Sequence, residues 1–311
     1  MRARFLLPLC SALLFCAVPL PTLTAAHAAQ PKAAAESRLE LASASALVVD
    51  LGTGRELYSS LPDVQVPIAS ITKLMTAMVM LDARQPMDAL LPVTIRDTRE
   101  LKGVFSRVRV GSVLSRRELL RLSLMSSENR AASTLAHHYP GGHAAFVAAM
   151  NAKARALGMG RTRFVEPTGL SPLNLSTARE LVTLVKAARQ YPLIREMSTY
   201  PSGDAFFRQP NYALSFFNTN PLVRKGGWNI QLSKTGFTND AGHCLVMLAD
   251  VDRRPVAMVL LDSYGKQSRF GDASRVRTWL ETGRASPIPA VARDYRNQKQ
   301  RQLQQVALSR R

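Results

Sequence analysis

The first feature with chemical potential is a hydroxyl and an amine spaced three residues apart, in Ser70-Ile71-Thr72-Lys73. Residues at i and i+3 share one face of a helix, so Lys73 is expected to lie beside Ser70. A serine hydroxyl is a weak nucleophile until a neighbouring base removes its proton. Lys73 can be that base if desolvation or a nearby cation lowers its pKa. A helix cap followed by a surface lysine has the same letters, so the motif needs support from elsewhere in the chain.

A second motif, Ser127-Glu128-Asn129, falls at the break between two predicted helices. Ser127 is placed to relay protons between Lys73 and a leaving group, and Asn129 to hydrogen-bond a substrate amide. Taken alone, the triplet is ordinary helix-capping chemistry. It gains meaning only together with the other motifs.

The third motif, Lys234-Thr235-Gly236, is predicted to end a β-strand. Lys234 is placed to hold a carboxylate and to depress the pKa of Lys73. Gly236 lets a ligand approach the backbone closely, because it has no side chain. A solvated lysine at a strand end is the ordinary reading of this motif in isolation. Three such motifs in this order predict an enzyme that transfers acyl groups through an active-site serine.

Hydrophobic patterns predict the elements that must position these motifs. Residues 46–51 and 56–59 form a predicted β-hairpin, and apolar stripes at helical spacing occupy the middle of the chain. Strand-like runs return at 230–233, 243–249 and 256–261, and a last helix ends at Gly283. This order of strands, helices and strands predicts one α+β unit spanning residues 41–283.

The N-terminal 28 residues have the pattern of an export signal. A basic start and an apolar run over 5–20 precede Ala26-His27-Ala28, which fits a cleavage site. An uncleaved membrane anchor is the alternative. Residues 29–40 are predicted to be a linker, and the mature chain is expected in the periplasm. Only Cys244 would then remain, so we expect no internal disulfide and a core role for that residue.

The formal net charge of +19 points to anionic partners or to plain solubility. Export argues against nucleic acid as the partner and favours anionic polymers of the cell envelope. In the C-terminal tail, defined as residues 284–311, seven Arg and Lys against one Asp leave +6. The tail is predicted to be flexible and lacks an evident apolar stripe for membrane anchoring. The histidines show no spacing typical of a metal site, and no cofactor is implied.

Over about residues 41–283 the chain resembles low-molecular-weight penicillin-binding proteins, most closely the D-alanyl-D-alanine endopeptidase branch. The segments that carry the resemblance are 67–77, 127–132, 167–170, 174–178, 234–238 and 241–244. It implies a five-stranded antiparallel sheet flanked by helices, an all-helical lobe, and the serine at their junction.

The resemblance also implies roles for individual residues. Ser70 would be acylated, Lys73 would be its base, and Ser127 would shuttle protons. The implied substrate-binding set is Asn129, Lys234, Thr235, Gly236 and Phe237. The backbone N–H groups of Ser70 and Phe237 would form the oxyanion hole.

Three positions depart from wider patterns of these enzymes. Glu128 stands where many relatives carry Gly or Asp, as it does in the endopeptidase branch. Glu166 precedes Pro167 where many relatives carry Asn, and we assign it no catalytic role. A class A β-lactamase would have Asn at the position of Leu170, which argues against that activity.

We therefore expect a serine peptidase that cleaves D-alanyl bonds in peptidoglycan cross-links. Its expected partners are stem peptides and cross-links, with β-lactam antibiotics as acylating inhibitors. A D-alanyl-D-alanine carboxypeptidase that trims uncross-linked stems is the nearest alternative. A β-lactamase and a catalytically idle wall-binding protein are less favoured, the latter because all three motifs are retained.

Overall fold

Strands from both ends of the chain build one antiparallel sheet. The computed structural model describes residues 38–94, 101 and 106–309. The strands in this part of the chain are β1 Ser43–Asp50, β2 Glu56–Ser60, β3 Val66–Pro67, β4 Leu90–Pro92, β5 Val113–Ser115, β6 Leu175–Ser176, β7 Ser202–Phe207, β8 Tyr212–Phe217, β9 Asn229–Thr238, β10 Gly242–Val251 and β11 Arg254–Ser263. The main sheet has the order β2-β1-β11-β10-β9, and the other strands form three two-stranded pairs.

Helices cover both faces of this sheet and form a lobe beside it. Those in the described residues are α1 Thr72–Asp82, α2 Arg116–Met125, α3 Asn129–His137, α4 Gly142–Ala156, α5 Ala178–Ala188, α6 Pro192–Thr199, α7 Pro221–Lys225, α8 Gly265–Thr282 and α9 Ala290–Ser309. The predicted α+β architecture with a five-stranded antiparallel sheet is confirmed.

Alternate residues of the central strands enter two separate hydrophobic cores. In β1, Leu47 and Val49 belong to the core shared with the helical lobe, whereas Ala46 and Val48 pack with α8. Successive side chains of a strand point to opposite faces, so a sheet covered on both faces needs apolar residues on both. This is why every residue of β1 is buried.

Local signals in the sequence set several of the boundaries. Ser115 accepts a hydrogen bond from the Glu118 N–H at the start of α2, which caps that helix. Gly283 follows α8 with φ +70°, the left-handed conformation that ends helices. Asp252 and Arg253, both with positive φ, make the two-residue turn of the β10–β11 hairpin. The predicted end of the last helix at Gly283 is confirmed, and the strand-like runs 243–249 and 256–261 lie in the two strands of this hairpin.

The third motif was predicted to end a strand, but it lies inside one. Lys234 pairs with Val246 and Thr235 with Leu245, and β9 continues to Thr238. The pairing with β10 carries the strand through Gly236, because hydrogen bonds from the neighbour outweigh the weak β propensity of glycine.

The prediction of a flexible tail is wrong for residues 290–309, which form α9. Ile288 and Ala292 are buried against Ala42. Arg296 donates to the Leu41 carbonyl at 3.0 Å and pairs with Glu40 at 3.3 Å. These contacts lie about 250 residues apart in the sequence, so the composition of the tail alone does not show them.

The same contacts shorten the predicted linker. Leu39 is buried, and Glu40 pairs with α9, so at least residues 39 and 40 belong to the folded unit. The predicted export signal and residues 29–37 lie outside the described residues. No helix within the described ranges is long and apolar enough to cross a bilayer. Cys244 is buried in β10, as expected, and burial raises the pKa of its thiol to about 12.

Candidate active site

Ser70 lies in a 3-10 turn, Ala69–Ile71, which leads directly into α1. Lys73 is in the first turn of α1, and its Nζ donates a hydrogen bond to Ser70 Oγ at 2.9 Å. Ser70 is partly exposed, whereas Lys73 is completely buried. The predicted pair of hydroxyl and amine is therefore brought together, at a serine that is partly open to solvent.

Burial is the main perturbation of Lys73. Desolvation lowers the pKa of its ammonium group to about 8, while the charges of Glu166 and Glu128 oppose the shift. Nζ also donates to Asn129 Oδ1 at 2.7 Å and to the Thr168 carbonyl at 2.5 Å. A buried lysine with a lowered pKa and a serine hydroxyl within reach has the properties of a general base.

Ser127-Glu128-Asn129 forms the junction between α2 and α3. Ser127 has φ +61°, a strained conformation for a residue with a side chain. Its Oγ accepts a hydrogen bond from Lys234 Nζ at 2.9 Å, so in this structure its lysine partner comes from the third motif. Glu128 caps α3 by accepting from the Arg130 N–H at 3.1 Å. The capping role foreseen for this motif thus falls to Glu128 and leaves the Ser127 hydroxyl for the site.

Lys234 connects the sheet to the helical lobe. It is 1% exposed, and its Nζ donates to Ser127 Oγ and to the Thr235 carbonyl, each at 2.9 Å. Burial is the first cause that holds the pKa of Lys234 well below its ordinary value, and the charges of Lys73 and Arg269 add to it. The site therefore contains two desolvated lysines, and the positive charge of Lys73 disfavours that of Lys234.

β9 runs directly against the turn that carries Ser70. A Cβ added to Gly236 would lie 3.0 Å from Ala69 Cβ and 3.1 Å from the Ser70 backbone nitrogen. Such distances leave room for a glycine at this position and for little else. The backbones of the first and third motifs thus meet beside Ser70, as the predicted oxyanion hole requires.

Phe237 follows this contact and presents its ring to solvent, with 52% of the residue exposed. One face of the ring stacks on His243, with the centroids 4.2 Å apart. Burial, then the charges of Arg269 and Lys266, lower the pKa of His243 to about 4. His243 is therefore neutral at physiological pH and supports Phe237 as a flat packing partner.

A buried loop that follows α4 completes the surroundings of Lys73. The Glu166 carboxylate accepts from the N–H groups of Thr168 and Gly169, each at 2.6 Å, and from Asn174 Nδ2 at 2.9 Å. These bonds fix the Thr168 carbonyl that accepts from Lys73. The structure thus gives Glu166 a positioning contribution that the sequence did not reveal. The sequence feature that could have indicated this contribution is an acidic residue just before backbone N–H donors, in Glu166-Pro167-Thr168-Gly169.

Arg269 is a second functional candidate that sequence reasoning missed. It lies on α8, is 9% exposed, and its Nε and Nη1 have no hydrogen-bond partner among the described residues. Burial lowers the pKa of its guanidinium to about 10, so it remains charged at neutral pH. Its charge acts on both Lys234 and His243. A buried cation with free donors near Lys234 is suited to receive an anionic group of a ligand.

Known proteins match this chain over most of its length. The family model described as D-alanyl-D-alanine carboxypeptidase matches residues 30–265. A D-alanyl-D-alanine endopeptidase of Pseudomonas aeruginosa is 61% identical over 272 residues, which cover 88% of each chain. One of Escherichia coli is 56% identical over 300 residues, which cover 96% of each chain.

A solved structure agrees with these matches. Penicillin-binding protein D2 of Listeria monocytogenes, in its ampicillin-bound form, is 29% identical with a TM-score of 0.67. The alignment covers 79% of this chain and 98% of that one. The resemblance inferred from the three motifs is confirmed, and the chain belongs to the D-alanyl-D-alanine carboxypeptidase family of peptidases.

Proposed function

We propose that this chain is a serine-type D-alanyl-D-alanine endopeptidase that hydrolyses peptidoglycan cross-links through an acyl-enzyme on Ser70. The observation that carries the proposal is the hydrogen bond of 2.9 Å between Ser70 Oγ and Lys73 Nζ, together with the lowered pKa of Lys73. The choice of endopeptidase is supported by two relatives of that name, at 61% and 56% identity.

Acylation begins when neutral Lys73 takes the proton of Ser70 as Oγ attacks the carbonyl carbon of a D-alanyl residue. The negative charge that develops on the carbonyl oxygen is stabilised by the backbone N–H groups of Ser70 and Phe237. The tetrahedral intermediate then collapses, the peptide bond breaks, and the amine leaves with the proton that Lys73 took up, delivered through the Ser127 hydroxyl.

Deacylation returns the enzyme to its starting state. A water molecule gives a proton to Lys73 while its oxygen attacks the ester carbonyl, and the ester bond to Ser70 Oγ breaks. Ser70 recovers its proton, and a peptide ending in D-alanine is released. Each proton taken up by Lys73 is thus returned within one catalytic cycle.

Substrate binding rests on cations and hydrogen-bond donors around Ser70. Lys234, Thr235 and Arg269 are proposed to hold a carboxylate on the leaving side of the scissile bond. Asn129 is proposed to bind a substrate amide through its Nδ2, because its Oδ1 already accepts from Lys73. Gly236 and Phe237 supply the strand backbone along which the peptide lies.

The test compares two purified substrates, a cross-linked muropeptide dimer and a monomer with a terminal D-Ala-D-Ala. The expected result is conversion of the dimer to two monomers, detected by mass, with no conversion by Ser70→Ala. Loss of a single D-alanine from the monomer, with the dimer intact, would instead identify the carboxypeptidase alternative. Absence of both reactions, with sacculus binding retained, would identify an idle wall-binding protein.

β-Lactams are proposed as acylating inhibitors, which the ampicillin-bound relative supports. A stable adduct is expected, whereas rapid release of hydrolysed drug would indicate a β-lactamase. We also propose that the protein acts in the periplasm, because its substrate is there and residues 1–28 fit an export signal. Sequencing the N-terminus of the exported protein tests this, with removal of residues 1–28 as the expected result.

We also propose that the tail binds anionic polymers of the cell envelope, although fewer of its charges are available than the sequence indicates. Arg293, Arg296 and Lys299 pair with carboxylates of the folded unit, which reduces the positive charge that the tail offers. Cosedimentation with sacculi at low and high salt tests whether the remaining positive charges of the tail bind the polymer. Binding that falls with salt supports the proposal, and binding that is unaffected by removing the tail contradicts it.

A further inference from the structure

Thr219 belongs to none of the three motifs, yet it lies between two of them. Thr235 Oγ1 donates a hydrogen bond to Thr219 Oγ1 at 2.6 Å. The Thr219 N–H donates to the carbonyl of Met125, the last residue of α2, at 3.1 Å. Two residues later the chain reaches Ser127. Thr219 therefore connects the helix that leads into the second motif with the strand of the third.

Two buried asparagines fix the backbone on either side of Thr219. Asn218 Nδ2 donates to two carbonyls at the end of α6, at 2.9 and 2.8 Å, and its Oδ1 accepts from the Asn220 N–H. Asn220 Nδ2 donates to Ser233 Oγ at 2.9 Å, and its Oδ1 caps α7. Both asparagines are at most 4% exposed, whereas Thr219 itself is partly exposed. The fold thus holds one hydroxyl in a fixed place at the edge of the site.

The direction of the hydrogen bond between Thr235 and Thr219 determines which hydroxyl can donate to a ligand. Each hydroxyl has a single proton, and the proton of Thr235 is directed at Thr219 in this structure. A carboxylate bound beside Lys234 needs that proton as a hydrogen bond from Thr235. When Thr235 turns to the carboxylate, Thr219 can rotate its own O–H and donate to Thr235 Oγ1. The oxygen atoms stay in place, and each hydrogen bond in the resulting chain strengthens the next.

We propose that Thr219 is a positioning residue of the carboxylate site, which acts through Thr235 by reversing the direction of their hydrogen bond. This inference rests on the proposed function, because it takes Thr235 as a carboxylate ligand. Without the Thr219 hydroxyl, Thr235 loses both its acceptor in the free enzyme and its donor in the complex.

The experiment measures second-order rates of acylation by benzylpenicillin and by its methyl ester, which lacks the carboxylate charge. Thr219→Val keeps the shape of the side chain and removes the hydroxyl. We expect it to slow acylation by the acid about five- to tenfold, through weaker binding rather than a lower limiting rate. The rate with the ester should change by less than about twofold, since a neutral group draws less on this hydrogen bond.

Two further variants define the result. Thr219→Ser retains the hydroxyl and should restore the rate with the acid. Ser215→Ala removes a hydroxyl in β8, four residues before Thr219, which donates to Asp204 at 2.6 Å, and should leave both rates unchanged.

An equal loss with acid and ester would overturn the proposal, because a structural defect affects both probes alike. Unchanged rates in Thr219→Val would overturn it as well. If that variant does not fold, Thr219→Ala provides the same ratio of the two rates. Failure of the wild-type protein to react with penicillin would instead remove the Ser70 assignment, and this inference with it.

Discussion

Replacing Gly169 by alanine is the most direct way to test how the loop after α4 supports Ser70. Gly169 has φ +83°, and an added Cβ would lie 1.9 Å from the Ala69 carbonyl oxygen and 2.8 Å from the Ser70 nitrogen. Ordinary Cβ contacts begin at 3.4 Å. The turn that carries Ser70, or the loop itself, must therefore move by about 1.5 Å to relieve the contact with the carbonyl.

The expected losses follow from this displacement. A shift of about 1 Å in an active site costs on the order of 100-fold in rate, so acylation should fall by at least about 100-fold. The left-handed conformation costs alanine about 1–2 kcal/mol, and overpacking adds about 1–3 kcal/mol. For a chain of this size, a loss of about 3 kcal/mol lowers the melting temperature by about 5 °C.

The assay is the rate of labelling by a fluorescent penicillin, with thermal melting measured in parallel. Gly160→Ala is the matched control, because its added Cβ meets nothing within 4 Å. It should acylate and melt like the wild type. Labelling of Gly169→Ala at the wild-type rate, with an unchanged melting temperature, would refute the close packing of this loop on the turn that carries Ser70.

Three further predictions concern the lysines and the last helix. With the pKa of Lys73 lowered to about 8, the neutral fraction of Lys73 rises from about 9% at pH 7 to about 91% at pH 9. Acylation should therefore rise about tenfold over this range, and a flat pH profile would contradict the assignment of Lys73 as base. Lys73→Arg should nearly abolish acylation, because guanidinium stays protonated, whereas Lys234→Arg should mainly weaken binding; wild-type acylation by Lys73→Arg would exclude it as base. Removing residues 288–311 should lower the melting temperature, because Asp262 loses its partners on α9, and should leave acylation nearly unchanged. A melting temperature equal to that of the full chain would contradict the packing of α9.

Local patterns in the sequence were sufficient for much of the fold. Ser115 with Glu118, and Gly283 after a helical stripe, each set a boundary through contacts within four residues. The β7–β8 hairpin was not predicted, because only Ala205 and Phe207 of β7 are buried and its apolar signal is weak. The helix α9 was missed because few apolar contacts and several long-range polar bonds hold it.

The candidate site likewise has one part that could be predicted from the sequence and another that could not. Ser70 and Lys73 were predictable as a pair, because one helical turn determines their distance. Their environment was not predictable, since it depends on residues far apart in the sequence. Burial of Lys73 and the anchoring of Thr219 arise only when the loop after α4, the α2–α3 junction and β9 come together. Burial, rather than a nearby cation such as Lys234, lowers the pKa of Lys73, and the charges of Glu166 and Glu128 oppose the shift.

Peptide mapping by mass spectrometry after incubation with penicillin tests the central claim most directly. One drug molecule should be found covalently attached per protein chain, on the peptide that contains Ser70. Ser70→Ala should carry none, while Ser126→Ala, a substitution of another hydroxyl near the site, should be labelled like the wild type. An adduct on a different residue, or one that persists in Ser70→Ala, would contradict the assignment of Ser70 as the nucleophile.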